Sequence, residues 1–298
     1  MPITTMIEGP DSRMSEVPAW SAPLNMSPMT ALRRHWPEYL IEGACLGLFM
    51  VSACSITVLL QHPGSALRQA LPNEFVRRCL TGVAMGLTAI ALIYSPWGKQ
   101  SGAHLNPSLT LTYFRLGKVQ PWDSAFYVVA QFTGGTLGVI LGELIWGAAV
   151  AHQNVRYAAT VPGRTGAGVA FMAELIISFL MMTMVLNVSN SAGIARFTGV
   201  IAGALVATFI TLESPFSGMS MNPARTLSSA FPSRVFDALW IYFTAPPIGM
   251  LLAAEVYLRL RGKHAVFCAK MHHDNDKRCI FRCNYQALKQ PITLKEMM

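Results

Sequence analysis

Charge is scarce in this chain. Only 13% of its 298 residues are Asp, Glu, Lys or Arg, against about 25% in an average soluble domain. That shortage excludes a water-covered globule of this size. Acidic residues are the scarcer sign, 15 against 23 basic ones, which leaves a net charge of +8. The basic residues fall in loops and tails, so the charge points to anionic lipid head groups and not to nucleic acid. The first 36 residues also lack the apolar run of a cleavable signal. They are rich in Pro, Met and Ser and read as a disordered cytoplasmic tail, leaving the first membrane segment to direct insertion.

What is abundant is apolar. Hydrophobic residues make up 52% and the mean hydropathy is +0.39. Six stretches are long enough for a hydrocarbon core that takes about 20 helical residues: 37–60, 75–95, 122–149, 168–189, 194–212 and 235–258. Cys45, Cys54 and Cys79 lie in such stretches and read as small buried hydrophobes. Two further apolar pieces, about 106–116 and 222–231, are too short to span.

The two short pieces reveal a repeat. Ser101-Gly102-Ala103-His104-Leu105-Asn106-Pro107-Ser108 and Ser217-Gly218-Met219-Ser220-Met221-Asn222-Pro223-Ala224 share Ser-Gly-x-x-x-Asn-Pro. Each follows the second long segment of its half, and each half carries a carboxylate within its first segment, Glu42 or Glu174. Three spans per half is an odd number, so the second copy is inverted. Interrupted segments at matching places in inverted repeats mark a pathway near the bilayer midplane. The expected architecture is therefore an all-α membrane protein: six transmembrane helices plus two re-entrant half-helices. Its channel domain covers 37–261, with repeat 1 about 37–149 and repeat 2 about 168–261. Residues 262–298 form a cytoplasmic tail. Glycines four apart, at 134, 138 and 142, at 82 and 86, and at 199 and 203, predict close helix packing. Basic residues favour both termini inside the cell.

Asn is a good N-cap, and Pro fits the first helical position because it needs no donor there. Asn106 and Asn222 should each open a half-helix, with the two amino ends facing each other. Each end carries a partial positive charge of about half a unit. Such a centre repels cations, and Asn amides that orient a passing water interrupt a proton chain. Arg225, one turn beyond Asn222, is expected to line the pore, because a charge at membrane depth needs water or a partner. Glu42 and Glu174 are expected to accept hydrogen bonds from the loop amides, with His104 packing the first loop. No nucleophile, base and orienting group occur together in these segments, which argues against an enzyme.

The paired elements, six spans and Arg after Asn-Pro-Ala resemble the aquaporin, or major intrinsic protein, family. The resemblance runs from Trp36 to Leu260. It implies a right-handed helical bundle, a homotetramer with one pore per subunit, and an outer constriction beside the Arg. It implies passive passage of water and other small neutral solutes, without a cofactor, in a plasma or bacterial inner membrane. Two departures stand out. Ser108 replaces the Ala of the first element. The constriction would be Met85, Ile210, Met219 and Arg225, with Gly86 the alternative to Met85. It lacks both the His of strict water pores and the aromatic pair of glycerol channels, so it reads as amphipathic. Alternatives are a glycerol-like facilitator with low water flux, a transporter, or a structural membrane protein on the same fold.

The tail holds Cys268, His272, His273, Cys279 and Cys283. Three readings stay open: incidental residues of a basic tail, a four-coordinate metal site, or a thiol redox element.

Overall fold

The computed structural model describes residues 26–289. Disorder is expected over residues 1–36, but 28–36 are helical, part of the helix Pro28–Gln61; residues 1–25, and the end of the tail at 290–298, lie outside the described residues. Six long helices are present: α1 (Pro28–Gln61), α2 (Glu74–Tyr94), α4 (Pro121–Trp146), α5 (Ala167–Ser189), α6 (Thr198–Leu212) and α8 (Leu239–Arg261). The two half-helices are α3 (Pro107–Arg115) and α7 (Pro223–Ser233). The fold is thus all-helical, with two copies of three spans and a half-helix.

Helix boundaries follow local chemistry more closely than hydropathy. The first helix starts well before the expected residue 37, because Ser27 caps it, accepting from the Thr30 amide at 3.2 Å, with Pro28 at its first position. Arg33, Arg34 and Pro37 hide this turn from a hydropathy reading. At the other extreme, α6 and α8 start later than expected. A 3₁₀ turn, Ala195–Phe197, precedes α6, and left-handed Arg234 and Ala238 precede α8.

The packing repeats as the sequence does. Helix α1 lies along α4 and α5 along α8, while α2 and α6 join the two halves. Each half-helix crosses over: α7 rests on α4, and α3 on α8. The halves therefore interlock and do not merely touch. The long helices turn Leu40, Leu87, Leu137 and Leu144 outward, as expected where the surroundings are lipid.

Glycine sets the closeness of α1 to α4. A Cβ on Gly138 would lie 2.2 Å from the Gly47 carbonyl oxygen, and one on Gly134 would lie 2.0 Å from that of Gly43. The partners of Gly134 and Gly138 are thus main chain, which cannot swing aside, whereas Gly142 meets the Cys54 side chain. Gly86 and Gly203 meet in the same way between α2 and α6. Lipid supplies no hydrophobic force between helices, so such backbone approach is what holds them.

Gly138→Val is expected to destabilise the protein by about 1–3 kcal/mol, the usual scale of overpacking. Gly168→Ala, where an added methyl meets nothing within 4 Å, should be neutral. Thermal unfolding in detergent measures both, and an unshifted transition for Gly138→Val would contradict the packing described.

Candidate functional site

The two re-entrant loops are built alike, residue for residue. Short helices, Pro96–Ser101 and Ser214–Ser217, end at Gly102 and Gly218, both left-handed with φ of 96° and 80°. Ala103 and Leu105 then take φ of 53° and 52°, and Met219 and Met221 take 53° and 55°. Left-handed backbone is unfavourable for residues with a Cβ, and four such residues at matching places need strong local support.

Buried carboxylates supply it. Glu42 accepts from Ser101 Oγ at 2.9 Å, Gln131 Nε2 at 2.9 Å and the Leu105 amide. Glu174 accepts from Ser217 Oγ and from the Ser220 and Met221 amides, all at 2.7 Å. The two serines also accept from the Ala103 and Met219 amides, at 3.1 and 3.0 Å. Tyr127 of α4 donates to the Ser101 carbonyl at 2.6 Å, and Tyr242 of α8 donates to that of Ser217. The serine of each Ser-Gly pair is therefore a relay between carboxylate and loop. Gln131 and the two tyrosines are supports the sequence reading missed. The tyrosines' equivalent places on the last span of each half were the available signal.

Between the loops the asparagines meet. Asn106 Oδ1 accepts from the Ser108 amide at 2.8 Å, and Asn222 Oδ1 accepts from those of Ala224 and Arg225 at 3.0 and 3.2 Å. Each caps its half-helix, with Pro107 or Pro223 buried behind it. The side-chain nitrogens reach across: Asn106 Nδ2 donates to the Met221 carbonyl at 2.7 Å, and Asn222 Nδ2 to that of Leu105 at 2.6 Å. An amide nitrogen has two hydrogens, so each keeps a second donor. Ser108 and Ala224 are buried beside the caps.

A cavity of about 670 Å³ runs past both asparagines. Met85, Ile210, Met219 and Arg225 all line it. Gly86 instead faces the Gly203 backbone, so of the two Met85 is the one on the cavity. Arg225 Nη1 is buried and has no hydrogen-bond partner among the described residues. One end carries Arg68, Arg77, Arg78 and Arg156 with Glu74.

The opposite end meets the carboxy-terminal segment. His104 is buried, with Nδ1 3.0 Å from Thr110 Oγ1 and Nε2 2.8 Å from the Ala269 carbonyl oxygen. Its ring stacks between Tyr113 and Phe281. Cys268, His273, Cys279 and Cys283 converge, whereas His272 does not join them; its ring packs edge-on against Tyr94. Hydrogen bonding to Cys268 and Cys279 draws the Cys283 thiol well below its ordinary value, and burial drives that of Cys268 well above.

Half-helix amino ends facing one another across a cavity, inside six apolar spans, define a membrane channel with re-entrant loops. The family model described as "Major intrinsic protein" matches residues 29–257. Aquaporin NIP2-2 of Zea mays is 35% identical over 224 residues, 74% of each chain. Aquaporin NIP2-3 of the same plant is 34% identical, over 76% of this chain and 73% of its own. An X-ray structure of the aquaglyceroporin from Plasmodium falciparum shares the fold, with a TM-score of 0.62 at 17% identity, covering 78% of this chain and 98% of that one. The chain belongs to the major intrinsic protein family. It is a multi-pass membrane channel for water and small neutral solutes.

Glu174→Ala would strand two loop amides and a hydroxyl, each worth about 1–3 kcal/mol when buried without a partner. It is expected to lower the melting temperature sharply in detergent. Glu174→Gln keeps an acceptor oxygen and should be intermediate. Equal stability of all three proteins would sink the supporting role.

Proposed function

We propose that Met85, Ile210, Met219 and Arg225 form the selectivity filter, and that Asn106 and Asn222 form the proton barrier. The observation that carries this is that Arg225, only part-buried, lines the same cavity as Met85, Ile210 and Met219. A guanidinium has five N–H donors, and those on the cavity side can donate to a passing solute with a lone pair. The same charge turns cations away, since no salt bridge among the described residues ties it up.

At the midplane, a water that accepts from both asparagine amides holds its oxygen toward them and its hydrogens outward. It cannot hand a proton along the file. Cations meet two half-helix amino ends as well. Neutral solutes meet neither barrier. The same cavity is lined by Met85, Met219 and Ile210, flexible or slim enough to leave room for a neutral solute larger than water. That amphipathic wall favours a filter open to water and small alcohols or amides over a strict water pore.

The basic residues suggest the orientation: Lys99, Arg115, Lys118, Arg196, Arg259 and Arg261 on the cytoplasmic side, with both termini. The fold's family suggests a homotetramer in a plasma or bacterial inner membrane, each subunit with its own pore and contacts to lipid. A coupled transporter is disfavoured, because the groups meeting at the midplane are asparagines and not ionisable side chains.

Purified protein in liposomes is expected to speed osmotic shrinkage well beyond empty vesicles, with a slower flux of small neutral solutes. Arg225→Ala should raise proton or cation leak by about tenfold or more, a barrier change of about 1.4 kcal/mol, while water still passes. Shrinkage no faster than that of empty vesicles would overturn the water assignment, and an unchanged leak in Arg225→Ala would overturn the role of the Arg.

A further inference from the structure

We propose that Cys268, His273, Cys279 and Cys283 form a Cys₃His zinc site that staples the carboxy-terminal segment across one mouth of the pore and holds Met271 in the permeation path. The first half stands on side-chain geometry alone. The second rests on the channel reading above.

The four ligand atoms lie within 4.8 Å of one another. Tetrahedral zinc with Zn–S bonds of about 2.3 Å sets neighbouring sulfurs about 3.8 Å apart. Cys268 and Cys279 have their sulfurs 3.6 Å apart, close to that spacing and far beyond a disulfide bond of about 2.05 Å. Cys283 Sγ lies 2.9 Å from His273 Nε2, so a metal would take the place of a hydrogen bond there. Three sulfurs and one imidazole are a closed, soft donor set, which selects zinc over hard cations and leaves no open position for catalysis.

The surroundings fit a charged cluster. The Tyr285 amide donates to Cys283 Sγ at 3.4 Å, and the Tyr285 ring stacks on His273 at 4.3 Å. Outer contacts of this kind orient metal ligands. Three thiolates on a divalent ion leave one negative charge. Lys118 and Lys270 lie within electrostatic reach of these thiols. Lys270 also ties the loop, donating to the carbonyls of Lys277 and Arg278 at 3.2 and 2.7 Å.

The segment needs such a staple. From Val266 to Asn284 it contains neither helix nor strand, yet Val266, Cys268, Ala269, Met271 and Phe281 are buried. A short irregular stretch has too small a core to hold itself, and metal binding supplies the missing free energy. What the staple presses down is the first re-entrant loop. Phe281 stacks on His104 at 5.2 Å, the Met271 amide donates to the Gly102 carbonyl at 3.0 Å, and Arg278 lies 3.9 Å from Glu38. Between these anchors Met271 lines the cavity beside His104. Loss of the ion frees the segment and withdraws Met271.

The full-length chain, purified with zinc sulfate, should hold one zinc per chain by elemental analysis. His272→Ala should keep it, and the double variant Cys279→Ser/Cys283→Ser should fall at least tenfold. Cobalt(II) added to the stripped wild-type chain should give the visible absorption of a tetrahedral thiolate site, which needs no variant to fold. A wild-type chain without metal, or with a Cys268–Cys279 disulfide, overturns the site. Stripping zinc should speed amide hydrogen exchange over 266–284 about tenfold, and unchanged exchange overturns the staple. In vesicles, stripping should raise wild-type water flux several-fold and leave the double variant's high flux unchanged. Equal wild-type flux with and without zinc overturns the hold of Met271 on the path. Vesicles that conduct in neither state count against the channel reading itself, and metal content and exchange still decide the site.

Discussion

The structure depends on a backbone obligation. Main chain that leaves the helix at membrane depth must find every donor and acceptor inside the protein. Two loops here do so with eight residues of left-handed or extended backbone between them, including four that carry a side chain at positive φ. One buried carboxylate per loop gathers their amides, a serine relays to it, and a tyrosine takes the serine's carbonyl. With the loops fixed this way, their carbonyls and the two asparagines face the cavity. Without that support the strained conformations would relax, and the facing half-helix ends would be lost.

From that frame the electrostatics follow. Each asparagine accepts from its own half-helix and donates to the opposite loop. The two amino ends are thereby locked tip to tip, which like partial charges alone would oppose. The cross-linking hydrogen bonds hold the positive centre together. Under the proposed proton barrier, structural support and selectivity would share the same four side-chain atoms.

Much of this was legible in the sequence, for physical reasons. Hydropathy located all six spans, because lipid imposes a length and a composition that few loops match. The repeated Ser-Gly-x-x-x-Asn-Pro placed both half-helices, because cap chemistry is local. Long-range packing was not legible. The partners of the α4 glycines, Gly43 and Gly47, the use of Gln131 by Glu42, and the choice of Met85 over Gly86 all depend on how separate helices rotate against one another. The start of α1 at Pro28 was missed for the opposite reason: its signal is a cap, and hydropathy does not see caps.

The carboxy-terminal segment shows where a reading by periodicity stops. It has no helical or strand period, and its cysteine spacing matches no common zinc pattern, so the sequence left three readings open. The structure buries Cys268, brings three sulfurs and one imidazole nitrogen together, and turns His272 away toward Tyr94, an arrangement that the proposed zinc site would use. Among the described residues of the tail, Met271 lines the cavity, as does His104 of the first re-entrant loop. The loop whose shape Glu42 secures from inside the bundle is clasped by the tail from outside. Under the proposed zinc site, how firmly that segment is held would act on the loop that carries Asn106.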